Sequence, residues 1–468
     1  MEGELAIKGK GESYLPKPSG QSESDYKSYN GRARFFDGTS RTAEGYHGHI
    51  FAKDPIQSGE MSDEFKKYLK DVDASGTSLD EFASNIVWDA MQTSWGGILV
   101  DHTPVEPGTH QNEETGRAYL KWYDAESIYN WQYAVINGSK KLSKVVLRED
   151  IEEVLPNDEF ETSVTEAYRV LSFNENKEYI QRIYIKDKNA DTGFTLKQTI
   201  DNIKMNGKPL DFIPFFTCPS EAPEKSMLLG LSFENIGFYQ RSADLENGLH
   251  LIGIPTPIAE NMEAPKEDDG KGNLIVQTIE FGGTRFLFFC QKDADGNVTS
   301  NVRVKFLEFS GAGLEQIAQA NNDCIVRMAK LGIQAIGPEK KGVETAEAAQ
   351  LKHAAEFGVL GAFSRSMSSK ITPAVRLMMI WNMFLEEEVN EWTYQLTYQF
   401  NVTELSAQIL QIMFTARQSN EIPRTVWYNV LKQNGKLPEE MTYDNFVDEI
   451  FNDQTPDHGP DGDEGHEE

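Results

Sequence analysis

The chain has 468 residues, with 45 Lys+Arg against 74 Asp+Glu, a formal net charge of -29, and 39% hydrophobic content. That apolar fraction excludes global disorder, and so acidic a surface repels duplex phosphates, which disfavours groove readers and phosphate clamps but not a protein that must avoid holding DNA. The three cysteines, Cys218, Cys290 and Cys324, are far apart and form no Cys-x-x-Cys array, and no run approaches the roughly 18 apolar residues that span a bilayer, so free thiols in a reducing, aqueous compartment are expected.

Residues 1–29 are rich in Gly, Ser, Lys and Pro, with Tyr14, Tyr26 and Tyr29 as their aromatic residues. This composition predicts a flexible arm outside the core. Globular sequence follows, with a helix predicted over 62–71 behind Ser62 as N-cap. A second is predicted over 78–95, where Ser78 precedes Leu79, Phe82, Ile86, Met91 and Trp95 at mostly three- and four-residue spacings. Gly96-Gly97 should stop that helix before a short buried strand. From 118 to 217 the pattern has period two and is punctuated by turn signals such as Asn206-Gly207, which predicts a β-rich, partly antiparallel layer.

A helix with Ser232 as N-cap is predicted to run to Ile252, closed by Gly253 and Pro255. Residues 256–311 form a compact insert, a charged loop and then strands at 274–280, 284–290 and 302–309, and a second helix follows at about 313–331. Two helices thus bracket a small β module. The polar loop Gln334 to Val343 leads into a helical segment from Thr345 to about Glu388, where Ala348, Leu351, Ala355, Val359, Phe363, Met367, Ile371 and Val375 mark one apolar stripe that Pro373 should kink. A strand at 392–400 and short helices at 403–417, 423–433 and 442–451 complete the globular part. The last residues, 452–468, are acidic with no Lys or Arg, and read as a disordered tail.

Catalytic chemistry is hard to find. Gly3 to Lys10 has the wrong spacing for a phosphate loop. Asp293-Ala-Asp295-Gly296 lacks charged oxygens at the outer positions of a calcium loop and reads as a turn. The spacing His47-Gly-His49 predicts two imidazoles on one side of an extended segment, with no further ligand at a zinc-site spacing, so a surface or satisfied pair is expected. Glu386-Glu-Glu388 is expected at a helix end, opposing the macrodipole, where it could bind a cation or line a water-filled surface; a solvated end is the plainer reading. No cofactor, no metal and no enzymatic role are expected.

Several runs resemble the tailed-bacteriophage portal proteins, the subunits of head-to-tail connector rings. They are Tyr29-Asn-Gly-Arg-Ala-Arg-Phe35 through Arg41, Tyr46 to Pro55, Gly97-Ile-Leu-Val-Asp101-His, Ala125 to Trp131, Ile213-Pro-Phe, Tyr239-Gln-Arg-Ser-Ala-Asp244-Leu-Glu-Asn247, Glu344-Thr-Ala-Glu347 and Leu405 to Asn434. Their order carries the resemblance, over roughly residues 27–451. It implies an α+β subunit with a β-rich wing (30–228), a stem of two helices (229–254 and 312–333) flanking a small α/β clip (255–311), a channel loop (334–344), a long kinked wing helix and strand (345–399), a helical crown (400–452) and an acidic tail (453–468).

The resemblance further implies a ring, usually of twelve copies, at one vertex of the virion capsid and assembled in the host cytoplasm, through which double-stranded DNA is packaged and ejected. Implied partners are the major capsid protein, the terminase large subunit and later a head-to-tail adaptor or tail protein, with no membrane. Pro338, Glu339, Lys340, Lys341 and Gly342 would form the channel loop, and Lys266, Asp268, Asp269 and Lys271 the clip docking surface; an ordinary turn and a solvated charge run are the plainer readings of these two sets. The alternative at the level of the whole chain is another acidic virion component, of head completion or tail, without a channel.

Overall fold

The computed structural model describes residues 2–59, 61–103, 116–136, 138–154, 162–187, 190, 193–253, 256–268, 274–276, 279–281, 284–290, 292, 301–307, 312–332, 346–397, 407–419, 421–433, 436–437 and 441–453. The chain divides into two compact units, one made of residues 1–344 and 362–397, the other of residues 345–361 and 398–468. Helices and antiparallel sheets mix in the first, as the α+β expectation requires.

The N-terminal residues depart from the sequence reading. Helices α1 (Glu4–Gly9) and α2 (Glu23–Arg32) flank a 3-10 turn. Leu15, Tyr26 and Tyr29 are buried with Ala33, Tyr239 and Ala243 in one cluster. Composition misled because the apolar surface here comes mostly from tyrosines, whose hydroxyls find partners in the fold: Tyr26 donates to the Leu15 carbonyl at 2.7 Å.

Helix α3 (Gly38–Ile50) starts on Asp37, whose carboxylate accepts from the Ser40 N–H at 3.3 Å. It carries His47 and His49, which are therefore helical rather than extended. His47 Nε2 lies 3.0 Å from Ser84 Oγ and 3.1 Å from the Ser84 carbonyl, with its ring edge-on to Trp88, a satisfied histidine. Strand β1 (Ile56–Ser58) follows. Helices α4 (Asp63–Leu69) and α5 (Leu79–Thr93) are capped by the Ser62 and Ser78 hydroxyls, which accept from Phe65 N–H at 3.2 Å and Glu81 N–H at 3.3 Å, as the sequence predicted.

Ser94, left-handed at φ 58°, ends α5. The glycines expected to stop it lie instead inside strand β2 (Gly96–His102). Their lack of a side chain serves packing: a Cβ on Gly97 would stand 2.1 Å from the Phe215 ring, and one on Gly96 2.2 Å from Trp122. Strand β2 is central in a three-stranded antiparallel sheet, between β3 (Ala118–Asp124) and β11 (Phe215–Cys218).

A five-stranded antiparallel meander holds the rest of the β layer: β4 (Ile128–Ile136), β5 (Ser139–Val154), β6 (Thr162–Phe173), β7 (Tyr179–Lys186) and β8 (Phe194–Ile200), in that order. A small hairpin, β9 (Lys204–Met205) with β10 (Lys208–Pro209), turns at Asn206-Gly207, both at positive φ.

Helix α6 (Leu229–Gly253) begins three residues before Ser232, which lies inside it with its hydroxyl donating to the Leu229 carbonyl. Between α6 and α7 (Ala312–Leu331) runs the β module, described below. Helix α8 (Ala346–Trp381) passes through Pro373 without a break. In the first unit it buries Phe363, Met367, Ile371 and Val375 of the expected stripe; Val359, in the second unit, is exposed, and the side chains of Ala348, Leu351 and Ala355 lie outside the described residues.

The chain leaves α8 through Met383, at φ 70°, and α9 (Glu386–Glu391) opens on Glu386, Glu387 and Glu388. The three acids thus lie at a helix N-terminus, where they complement the macrodipole rather than oppose it. Strand β19 (Thr393–Gln395) pairs with β1. In the second unit α10 (Ala407–Gln418), α11 (Arg424–Gln433) and α12 (Tyr443–Asp453) match the three expected short helices. Tyr428 packs on Tyr443 and Phe446 and donates to the Met441 carbonyl at 2.5 Å.

Candidate functional site: a helix hairpin carrying a β module

Helices α6 and α7 run antiparallel, as their contacts show in sequence. Glu234 meets Cys324 and Arg327, Arg241 Nε donates to Asn321 at 3.3 Å, and Leu314 packs against Gly248, where a Cβ would come within 2.4 Å of it. The Glu234 carboxylate accepts from Arg327 Nε and Nη2 at 3.2 and 3.1 Å and from the Cys324 thiol at 3.3 Å. Those hydrogen bonds, Arg327 first, hold it below the usual carboxylate range. Burial, and then Glu234, pushes the Cys324 thiol up, so it is a packing group rather than a nucleophile.

The module between them contains a sheet of β17 (Leu287–Phe289), β12 (Thr256–Glu260) and β18 (Arg303–Leu307), in that spatial order. Two hairpins accompany it: β13 (Lys266–Asp268) with β14 (Leu274–Val276), and β15 (Glu280–Phe281) with β16 (Thr284–Arg285). Strand β12 was missing from the sequence reading because Pro257 and the adjoining charged run obscure it. As the middle strand it pairs parallel with β17 and antiparallel with β18.

Both the hairpin and the sheet expose apolar side chains. Helix α6 distributes its apolar and polar residues around the axis rather than along one stripe, and Phe233 is 66% exposed, with Leu249 and Leu251 also open. On α7, Leu331 is half exposed. Val302, just before β18, and Val304 and Phe306 on it recur with period two, and Val304 is 61% exposed, while Phe289 on β17 is exposed at the other edge.

Of the residues expected to dock partners, Lys266 opens β13 and is exposed, and Asp268 closes that strand. Asp269 and Lys271 lie outside the described residues, as do Pro338, Glu339, Lys340, Lys341 and Gly342, the turn at Asp293 to Gly296 and the acidic end beyond Asp453.

The fold brings distant sequence runs together in pairs. Tyr29 OH donates to Asp244 at 2.6 Å, Arg32 Nη2 to Asn247 at 2.8 Å, and Tyr239 OH to Asn30 at 2.8 Å, so the 29–32 and 239–247 runs dock on each other. Gln240 adds a bond to the Tyr14 carbonyl. Likewise Leu99 pairs with Phe215, joining the 97–102 and 213–215 runs, and Trp131 packs on Trp95 with centroids 4.4 Å apart. These runs are structural: they position α6 and the sheets.

Sequence reasoning missed a buried polar network in the first unit. Arg169 Nε donates to Glu149 at 3.0 Å and its Nη1 to Gln181 at 2.5 Å; Gln181 Nε2 donates to Asp101 at 2.9 Å; and Lys121 pairs with Glu149 at 2.7 Å. Burial alone would raise the Glu149 carboxyl, but the charges of Arg169 and Lys121 and the hydrogen bonds from Lys121 and Tyr123 outweigh it and hold the group low. Burial first and then Asp101 push the Tyr119 phenol up to about 12. Among the described residues no group of three His, Cys, Asp or Glu side chains is placed to hold a metal ion, and no helix is long and apolar enough to cross a membrane.

Comparison with known proteins gives three results. A family model described as a domain of unknown function, DUF4055, matches residues 227–382, the stretch from α6 to the end of α8. No curated protein matches. Among solved structures, a chain from the "Virion of native gene transfer agent (GTA) particle" is similar over 93% of this chain and 99% of its own, at 10% sequence identity and a TM-score of 0.39.

Proposed function

We propose that this chain is a portal-type ring subunit that lets double-stranded DNA pass through a capsid vertex and docks first a terminase motor and then head-to-tail adaptors. The observation that carries the reading is the α6–β module–α7 unit, whose helices and sheet leave apolar side chains uncovered. Exposed apolar patches mark contact surfaces. In a closed ring each subunit offers one face of such a unit to a different face of the next, a heterologous interface closed by rotation. The resemblance of residues 27–451 to portal proteins gives that ring its biological setting.

In this reading α6 and α7 are the stem, residues 255–311 the clip, and Pro338 to Gly342 the channel loop between α7 and α8. A ring of twelve would carry about -350 formal charges, twelve times -29. An acidic lumen repels phosphates, so the duplex would slide without sticking. Lys340 and Lys341 are the adjacent basic pair that would touch passing phosphates. Lys266, Asp268, Asp269 and Lys271 would face the motor, and the wing would face the major capsid protein.

Negative-stain electron microscopy of the purified chain tests the ring: particles with a central opening as wide as duplex DNA are expected, and monodisperse monomers at high concentration would overturn it. Replacing both Lys340 and Lys341 by Glu should leave rings intact and reduce DNA filling of particles. Unchanged filling would remove the loop's role.

A further inference from the structure

The hairpin of β4 and β5, the segment entering and leaving β11, and α8 line an open cavity of about 210 Å³ within the first unit. Its floor is apolar, with Leu142, Phe212 and Phe216 half-buried against it. Lys141, Lys370, Tyr133 and Thr217 also line it, and the Tyr133 and Thr217 hydroxyls lie 3.4 Å apart.

Among the described residues lining this cavity the acid is Glu221, which is already engaged. Lys140 Nζ lies 2.7 Å from the Glu221 carboxylate and 4.4 Å from the Tyr133 ring centroid, and Tyr133 OH donates to the Glu221 carbonyl at 3.2 Å. The ammonium groups of Lys141 and Lys370 have no hydrogen-bond or ion-pair partner within reach among the described residues. Glu221 is paired with Lys140 and only within electrostatic range of Lys370, so in a chain of net charge -29 this rim sets three ammonium groups against one carboxylate, a local inversion of sign.

We infer that this cavity binds a carboxylate carried on an aryl or alkyl body, either a small free acid or an acidic side chain next to an aromatic one in a protein segment. The head would accept from Lys141, Lys370 and the Thr217 hydroxyl, and the body would lie against Phe212, Phe216 and Leu142. Low-dielectric walls strengthen such charge-assisted hydrogen bonds. The volume is below the roughly 300–1,000 Å³ of pockets for drug-sized ligands, which limits the occupant to a fragment or a single side chain. The site does not depend on ring formation.

The test is a fluorine NMR titration of the full chain with 4-fluorobenzoate. Loss of the charged hydrogen bonds, as in uncharged 4-fluorobenzyl alcohol, should weaken binding about tenfold or more, and inorganic phosphate, lacking an apolar body, should bind about as weakly. The Lys141→Met, Lys370→Met double variant should lose 4-fluorobenzoate binding by a similar factor, while Lys141→Arg with Lys370→Arg should retain it. Equal binding by the methionine variant, phosphate binding as tight as 4-fluorobenzoate, or loss in the arginine variant with an unchanged circular dichroism spectrum would each overturn the inference. Acetyl-Phe-Asp-amide distinguishes the sources: tighter binding than 4-fluorobenzoate identifies a protein segment, weaker binding a free acid, and no binding of either overturns the site.

Discussion

Asp89 and Glu149 have opposite electrostatic settings. Asp89 accepts from Trp122 Nε1 at 2.8 Å, but burial, with Asp124 and Glu126 nearby, raises its carboxyl above the ordinary 3.8. Its ionised form therefore opposes folding as pH rises through that raised value. Asp89→Asn keeps an acceptor for Trp122 and should raise the thermal unfolding midpoint at pH 7; the gain should vanish as the solution is acidified to about pH 3, where both forms are neutral. Glu149 is held below the ordinary 4.5, so its contribution is present above that value and is lost as pH falls below it. Glu149→Gln should flatten the acid limb of the stability curve. Arg169→Met should cost roughly 3–5 kcal/mol in denaturant titrations at neutral pH, because Glu149 and Asp101 would lose their buried cation. An unchanged midpoint would mean that the network relaxes into solvent.

At the scale of elements, β2 shows how a short motif positions a sheet. Gly97→Ala pushes a methyl into the Phe215 ring, which sits against β2 and cannot swing away as a flexible chain end could. A loss of about 1–3 kcal/mol is expected from overpacking, measurable by urea unfolding. Elements whose signals are local were legible in the sequence: the Ser62 and Ser78 caps, the period-two run from 118 to 217, the helices on either side of the β module, and the last three short helices. Those that depend on distant partners were not. Tyr26 and Tyr29 look like polar-arm residues until Leu15 and Asp244 are placed beside them, and Gly96-Gly97 reads as a helix stop until Trp122 and Phe215 cover it. The buried network draws Asp101, Lys121, Glu149, Arg169 and Gln181 from five strands, so only the strand register assembles it.

At the scale of the whole molecule, charge and apolar exposure oppose each other. Copies of net charge -29 repel, while the uncovered faces of α6, α7 and β18 attract, so self-association should strengthen with salt as the screening length falls from about 14 Å at 50 mM to about 4 Å at 500 mM. Sedimentation velocity at both salt concentrations checks this; weaker association at high salt would point to ion pairs instead. The docking of Tyr29 on Asp244 also has a consequence for synthesis, because these residues are 215 apart in sequence. A ribosome adding roughly 5–20 residues per second makes the second partner on the order of ten to forty seconds after the first. For that interval Leu15, Tyr26 and Tyr29 have no α6 to cover them, so the opening segment must wait in a nascent chain, open to chaperones and proteases, and locks down only when the helix has been made.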